Sequence, residues 1–82
     1  MRTLLQTLSS YEKNTKWLSQ RYDELKQKYD DEWVAAMNRS VIDHDRNLDK
    51  LVERLRKDYP EAYSEIAIEY VTKKEIDLIL IL

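Results

Sequence analysis

The stretch Trp33-Val34-Ala35-Ala36-Met37-Asn38-Arg39-Ser40-Val41-Ile42-Asp43-His44 is where the sequence changes period, and its reading decides the fold. Trp33 to Met37 and Val41 to His44 are short apolar runs of strand length. The polar triplet Asn38-Arg39-Ser40 separates them. This pattern predicts a β-hairpin with a short connection. Asn tolerates positive φ, so Asn38 can serve where a hairpin would commonly use glycine. The substitution matters because the chain contains no glycine at all.

Upstream of the hairpin the spacing is helical. Leu4, Leu8, Tyr11, Thr15, Leu18, Tyr22, Leu25 and Tyr29 follow one another at alternating intervals of four and three. That is a heptad seam of period 3.5. Mixed charges flank it, and Trp17 widens its apolar face. Two readings stay open: one helix from about residue 2 to 29, or a break near Ser9-Ser10 or Asn14-Thr15. Ser and Asn compete locally with helical hydrogen bonds, and Asn14 or Thr15 can cap a second helix. Downstream, Leu48, Leu51, Val52, Leu55 and Tyr59 form one apolar helical face. Asp45 or Asn47 is the expected N-cap, Asp49 suits the positive end of the dipole, and Pro60 stops the helix. Ile66 to Val71 reads as a third strand, Lys73-Lys74-Glu75 is polar, and the apolar tail Ile76-Asp77-Leu78-Ile79-Leu80-Ile81-Leu82 closes the sequence.

The expected fold is α+β in the order α-β-β-α-β. It comprises a long helix in residues 1–29, a ββαβ unit in 33–71 and an apolar strand or extended tail in 76–82, all in one domain. The strands before and after the second helix should run parallel if they share a sheet. The three strands should lay one face on the helix of residues 47–59.

The chain has 82 residues, 37% of them charged, and a net charge of −2. A chain this short buries only about 60% of its unfolded surface, so its core needs support. With no cysteine, neither a disulfide nor a thiolate zinc site supplies it. Oligomerisation remains. Lack of glycine lowers unfolded-state entropy, and the dense mixed charge suits a thermostable protein. Met1 to Ser10 has no apolar core of signal length, and no window approaches the ~20 apolar residues of a membrane span. A cytoplasmic protein without a membrane partner is expected.

The blocks Asn14-Thr15-Lys16-Trp17-Leu18, Trp33-Val34-Ala35, Val41-Ile42-Asp43, Leu48-x-x-Leu51-Val52 and Ile68-Glu69-Tyr70-Val71, with the Ile/Leu-rich end, resemble a small prokaryotic family, common in archaea. That family is a domain of unknown function. The resemblance spans roughly residues 14–82. Similar proteins often carry a proline where this chain has Thr72, and a glycine where it has Asn38-Arg39. The resemblance implies a fold, and neither a catalytic residue nor a substrate.

No residue pattern calls for catalysis, a cofactor or a metal. His44 is the only histidine, in Asp43-His44-Asp45. Successive strand residues point to opposite faces, so Asp43 and His44 should not converge. A metal site would need further His or Cys ligands that the chain lacks. Serines have no elbow motif around them, and phosphate or dinucleotide loops need glycine. The acidic run Asp30-Asp31-Glu32 ends the first helix and solvates a turn rather than holding a cation. Nucleic-acid binders usually present a basic face. Here the cations are interleaved with acids, and Tyr11, Tyr22, Tyr29 and Tyr59 sit on apolar seams.

Self-association is the remaining signal. A helix of about 40 Å carries more apolar seam than so small a sheet can cover. Tyr and Thr on the seam disfavour a parallel zipper; an antiparallel helix pair or a helix laid on a partner's sheet fits better. From Leu78 onward both faces of a strand would be apolar, the mark of a strand covered on both sides. The interface residues expected are therefore Leu4, Leu8, Tyr11, Leu18, Tyr22, Leu25 and Tyr29 with Leu78, Ile79, Leu80, Ile81 and Leu82. The expected function is a non-enzymatic interaction module that forms a homodimer or holds a partner protein. The alternative is a small nucleic-acid-associated or antitoxin-like regulator.

Overall fold

The computed structural model describes residues 3–73. Helix α1 covers Leu4–Gln20 and α2 covers Tyr22–Lys28. The hairpin strands are β1, Glu32–Met37, and β2, Ser40–Asp45. Helix α3 covers Leu48–Asp58, a 3-10 turn covers Tyr63–Glu65, and β3 covers Ala67–Val71. The fold is α+β in the expected order; the tail expectation, residues 76–82, lies outside the described residues.

The hairpin forms as its residues dictate. Met37 pairs with Ser40, leaving Asn38 and Arg39 as a two-residue loop, with φ of 55° and 60°. Two consecutive left-handed residues match the right-handed twist of the strands, the type I′ solution. A bulge interrupts the ladder: Ala35 faces Asp43, while Ala36 faces Val41. Ile42 is the extra residue. It joins the apolar cluster under α3, while Val41 packs on the opposite side.

The sheet order is β2-β1-β3, with both outer strands antiparallel to β1. Strands β2 and β3 are therefore parallel, as the connecting helix requires, but β1 lies between them. The crossover spans a strand rather than joining neighbours. Central β1 is covered on both faces. Val34 and Ala36 pack with Leu18, Leu25, Ala67 and Val71 under the first two helices. Ala35 packs with Leu51, Leu55 and Ile66 under α3. One covered face was the expectation; the second layer comes from the C-terminal half of the heptad seam. Consecutive burial of Val34, Ala35 and Ala36 is the signature of a strand between two layers. Alanine is a poor strand former; here its small side chain admits a helix on each side.

The first helix breaks at Arg21, not at Ser9-Ser10 or Asn14-Thr15, and it is not continuous. Thr3 caps α1 in a reciprocal box with Gln6, whose N–H donates to Thr3 Oγ1 at 3.2 Å. At Arg21 the backbone leaves the helical region (φ −108°, ψ 11°), and its N–H is shared between the carbonyls of Trp17 and Leu18. Leu18 and Leu25, on either side of the break, pack in one cluster on the same sheet face. Asn14, far from capping a helix, lies buried within α1. Its Nδ2 donates to the Glu65 carbonyl at 2.7 Å, and its Oδ1 accepts from the Asn38 N–H at 3.2 Å. One side chain ties α1 to the hairpin loop and the 3-10 turn.

Candidate functional site

The expected interface residues separate into two groups. Leu18 and Leu25 are buried in the chain's own core, with Tyr22 and Tyr29 half-buried against it. The Tyr22 hydroxyl accepts from the Thr72 N–H at 3.3 Å. Leu4, Leu8 and Tyr11 remain on the surface, with 77%, 49% and 43% of their areas exposed. Leu5, equally exposed at 77%, belongs with them. It escaped the sequence reading because it stands beside the 3.5-residue seam rather than on it. Leu78, Ile79, Leu80, Ile81 and Leu82 lie outside the described residues. The first two and a half turns of α1 thus carry an apolar strip that extends past the segment anchored by Asn14.

The polar residues around His44 are drawn to two different faces. Its Nδ1 lies 2.8 Å from Glu32 Oε1, and its ring centroid lies 4.7 Å from that of Tyr29. This places it on the side of α2. Asp43 turns to α3, where Arg54 donates to both of its oxygens at 3.0 Å and also reaches Asp45 at 2.7 Å. The Arg54 hydrogen bonds hold the Asp43 carboxyl below the usual carboxylate range. For Asp45 the Asn47 N–H is the main cause of a similar depression, with Arg54 second. A bidentate guanidinium fork fixes α3 against β2. Arg54 lies in the middle of α3, short of the last turn held by Arg56 and Lys57.

The acidic run is likewise committed. Asp30 accepts from the Lys73 N–H at 2.7 Å, and Asp31 accepts from the Thr72 and Tyr70 hydroxyls at 2.8 and 3.1 Å. Asp31 has φ 60°, a left-handed position that aspartate tolerates better than most residues. Among the described residues no three His, Cys, Asp or Glu side chains converge as a metal site. No helix among them is long and apolar enough to cross a membrane.

No curated protein and no solved structure matches the chain. A family model matches residues 24–74, from within α2 to just past β3. The match is narrower than the span of the sequence resemblance: it contains the hairpin, α3 and β3, and leaves out α1 with its Asn14-to-Leu18 block. By that match, which covers more than half its length, the chain belongs to the family of unknown function DUF5678.

Proposed function

We propose that the protein is a non-enzymatic interaction module that pairs with a second copy of itself through the N-terminal half of α1. The exposed apolar strip of Leu4, Leu5, Leu8 and Tyr11 carries this reading. Large exposed apolar side chains grouped on one helix face are the kind of surface that marks interaction sites. Its 3.5-residue spacing suits another helix of the same spacing, so an antiparallel pair of α1 helices is a self-complementary solution. The apolar tail, Leu78 to Leu82, adds to the same interface on its sequence pattern alone. A cytoplasmic setting belongs to the same reading.

Sedimentation equilibrium at micromolar concentration tests it. The expected result is a dimer that dissociates in a Leu4→Asp/Leu8→Asp variant whose monomer keeps the wild-type circular dichroism spectrum, since these side chains touch little of their own chain and only the stabilisation by assembly is lost. Removal of residues 78–82 reports the tail separately. A wild-type chain that sediments as a clean monomer overturns the proposal.

A further inference from the structure

A trough runs along the outer flank of α1 and α2, beside the hairpin loop. It consists of two adjoining hollows of about 460 and 440 Å³, and Trp17 and Arg39 line both. Lys13 and Lys16 line the first; Arg21 and Lys28 line the second. Glu24 is the one carboxylate among the lining residues. Five cations against one acid stand out in a chain whose net charge is −2. Glu24 approaches Arg21 at 3.6 Å across open solvent, a weak pairing. Among the described residues no ion-pair partner lies beside Lys13, Lys16, Lys28 or Arg39.

The chemistry of a ligand follows from three features. The charges are strung out, roughly 22 Å from Lys13 to Lys28 at helical rise, so a single anion would engage only one or two of them. A flat surface lies between them: Trp17 carries the Arg21 guanidinium at 5.4 Å from its ring centroid, and Tyr29 lines the same hollow. Aromatic rings and guanidinium planes are where unpaired bases stack. The loop presents arginine at a left-handed position, Arg39 with φ 60°, where glycine would cost least. The type I′ turn thereby sets Arg39 where it lines both hollows.

We infer that this trough binds single-stranded nucleic acid, with Lys13, Lys16, Lys28 and Arg39 on successive phosphates and a base against the Trp17–Arg21 stack. An acidic peptide would match the charges and leave the flat surface unused. The concave trough offers nothing to insert into a duplex groove. The inference is independent of self-association, because the apolar strip from Leu4 to Tyr11 precedes the trough along α1.

Fluorescence anisotropy of labelled 15-nucleotide oligo(U) and oligo(dT), titrated from 25 to 200 mM salt, tests it. With four to five phosphate contacts, log affinity falls against log salt with a slope of about −3, and each contact contributes about eight-fold at 50 mM salt. Arg39→Gly should weaken binding by about that factor, Lys16→Glu by more because it reverses the charge, and both should flatten the slope. Arg39→Gly also relieves the left-handed strain, so lost binding there is not lost folding. Lys57→Glu, on α3, makes the same charge change as Lys16→Glu away from the trough and should leave binding unchanged. Absent binding at 25 mM salt overturns the inference. So do an equal loss in Lys57→Glu, equal affinity for duplex, or equal competition by poly-glutamate.

Discussion

Replacing Asn14 by alanine cuts a side chain that joins α1, the hairpin loop and the 3-10 turn. The lost contacts are Nδ2 to the Glu65 carbonyl, 2.7 Å, and the Asn38 N–H to Oδ1, 3.2 Å. Glu65 is buried, so loss of this donor costs its carbonyl about 1–3 kcal/mol. Asn38 is exposed, so water can replace much of its bond, and the loss there is about 0.5–1 kcal/mol. Alanine recovers about 0.5 kcal/mol of helix propensity. The net cost is about 1–3.5 kcal/mol, a large share of the stability of a small domain. It corresponds to a fall of roughly 5–25 °C in melting temperature for a chain of this size. Urea denaturation followed by circular dichroism reads the free energy directly. Asn14→Asp keeps the acceptor for Asn38 but replaces the donor to Glu65 with a buried carboxylate against that carbonyl, and should destabilise at least as much as alanine. If both variants unfold within about 0.5 kcal/mol of the wild type at unchanged m-value, Asn14 is not the tie its geometry describes.

Three further predictions concern the sheet and its charges. Burial holds the Glu69 carboxyl above the ordinary value of 4.5; its native-state stability is therefore greatest below that value and declines as pH rises through the raised one. Glu69→Gln should accordingly be more stable than the wild type at pH 7 and lose that advantage near pH 4, as thermal melts across pH will report. Asp43 and Asp45 behave oppositely: Arg54 for the first, and the Asn47 N–H followed by Arg54 for the second, depress their carboxyls below 3.8, so their contribution is present above that value and vanishes as pH falls through the depressed ones. Arg54→Met should move the acid-unfolding midpoint to higher pH, and an unmoved midpoint would show the fork to be idle. Ala35→Leu, at a fully buried position under α3, should cost about 1–3 kcal/mol by overpacking, measured by denaturant titration; a neutral outcome would mean that the layer has slack.

Local signals in the sequence were strong wherever one residue type answers one backbone demand. The hairpin was legible because two apolar runs flank Asn38, which accepts positive φ. Helix α3 was legible from its single apolar face, its Asn47 cap and Pro60. What could not be read depends on distant partners. Arg21 is a good helix former, so nothing in its neighbourhood announces the break found there. Asn14 resembles a helix breaker by type, and only the nearness of Glu65 and Asn38 turns it into an interior tie. The heptad seam was correctly periodic, yet period says nothing about which chain covers it. Likewise, cations spaced among acids along the sequence do not reveal that Lys13, Lys16, Lys28 and Arg39 line one trough, because the hairpin loop brings Arg39 there.

The division of the seam at Asn14 has a genetic consequence. Leu18 and Leu25 lie on the same heptad seam as Leu4 and Leu8, but the former are interior and the latter are at the surface. Polar substitutions at the two sets should therefore yield different phenotypes. Those at Leu18 and Leu25 should reduce how much protein accumulates in a cell, because unfolded chains are degraded. Those at Leu4 and Leu8 should leave abundance intact and alter only what depends on assembly. A library scored once for abundance and once for pairing would then sort a single repeat into two classes, with the boundary falling between Tyr11 and Leu18.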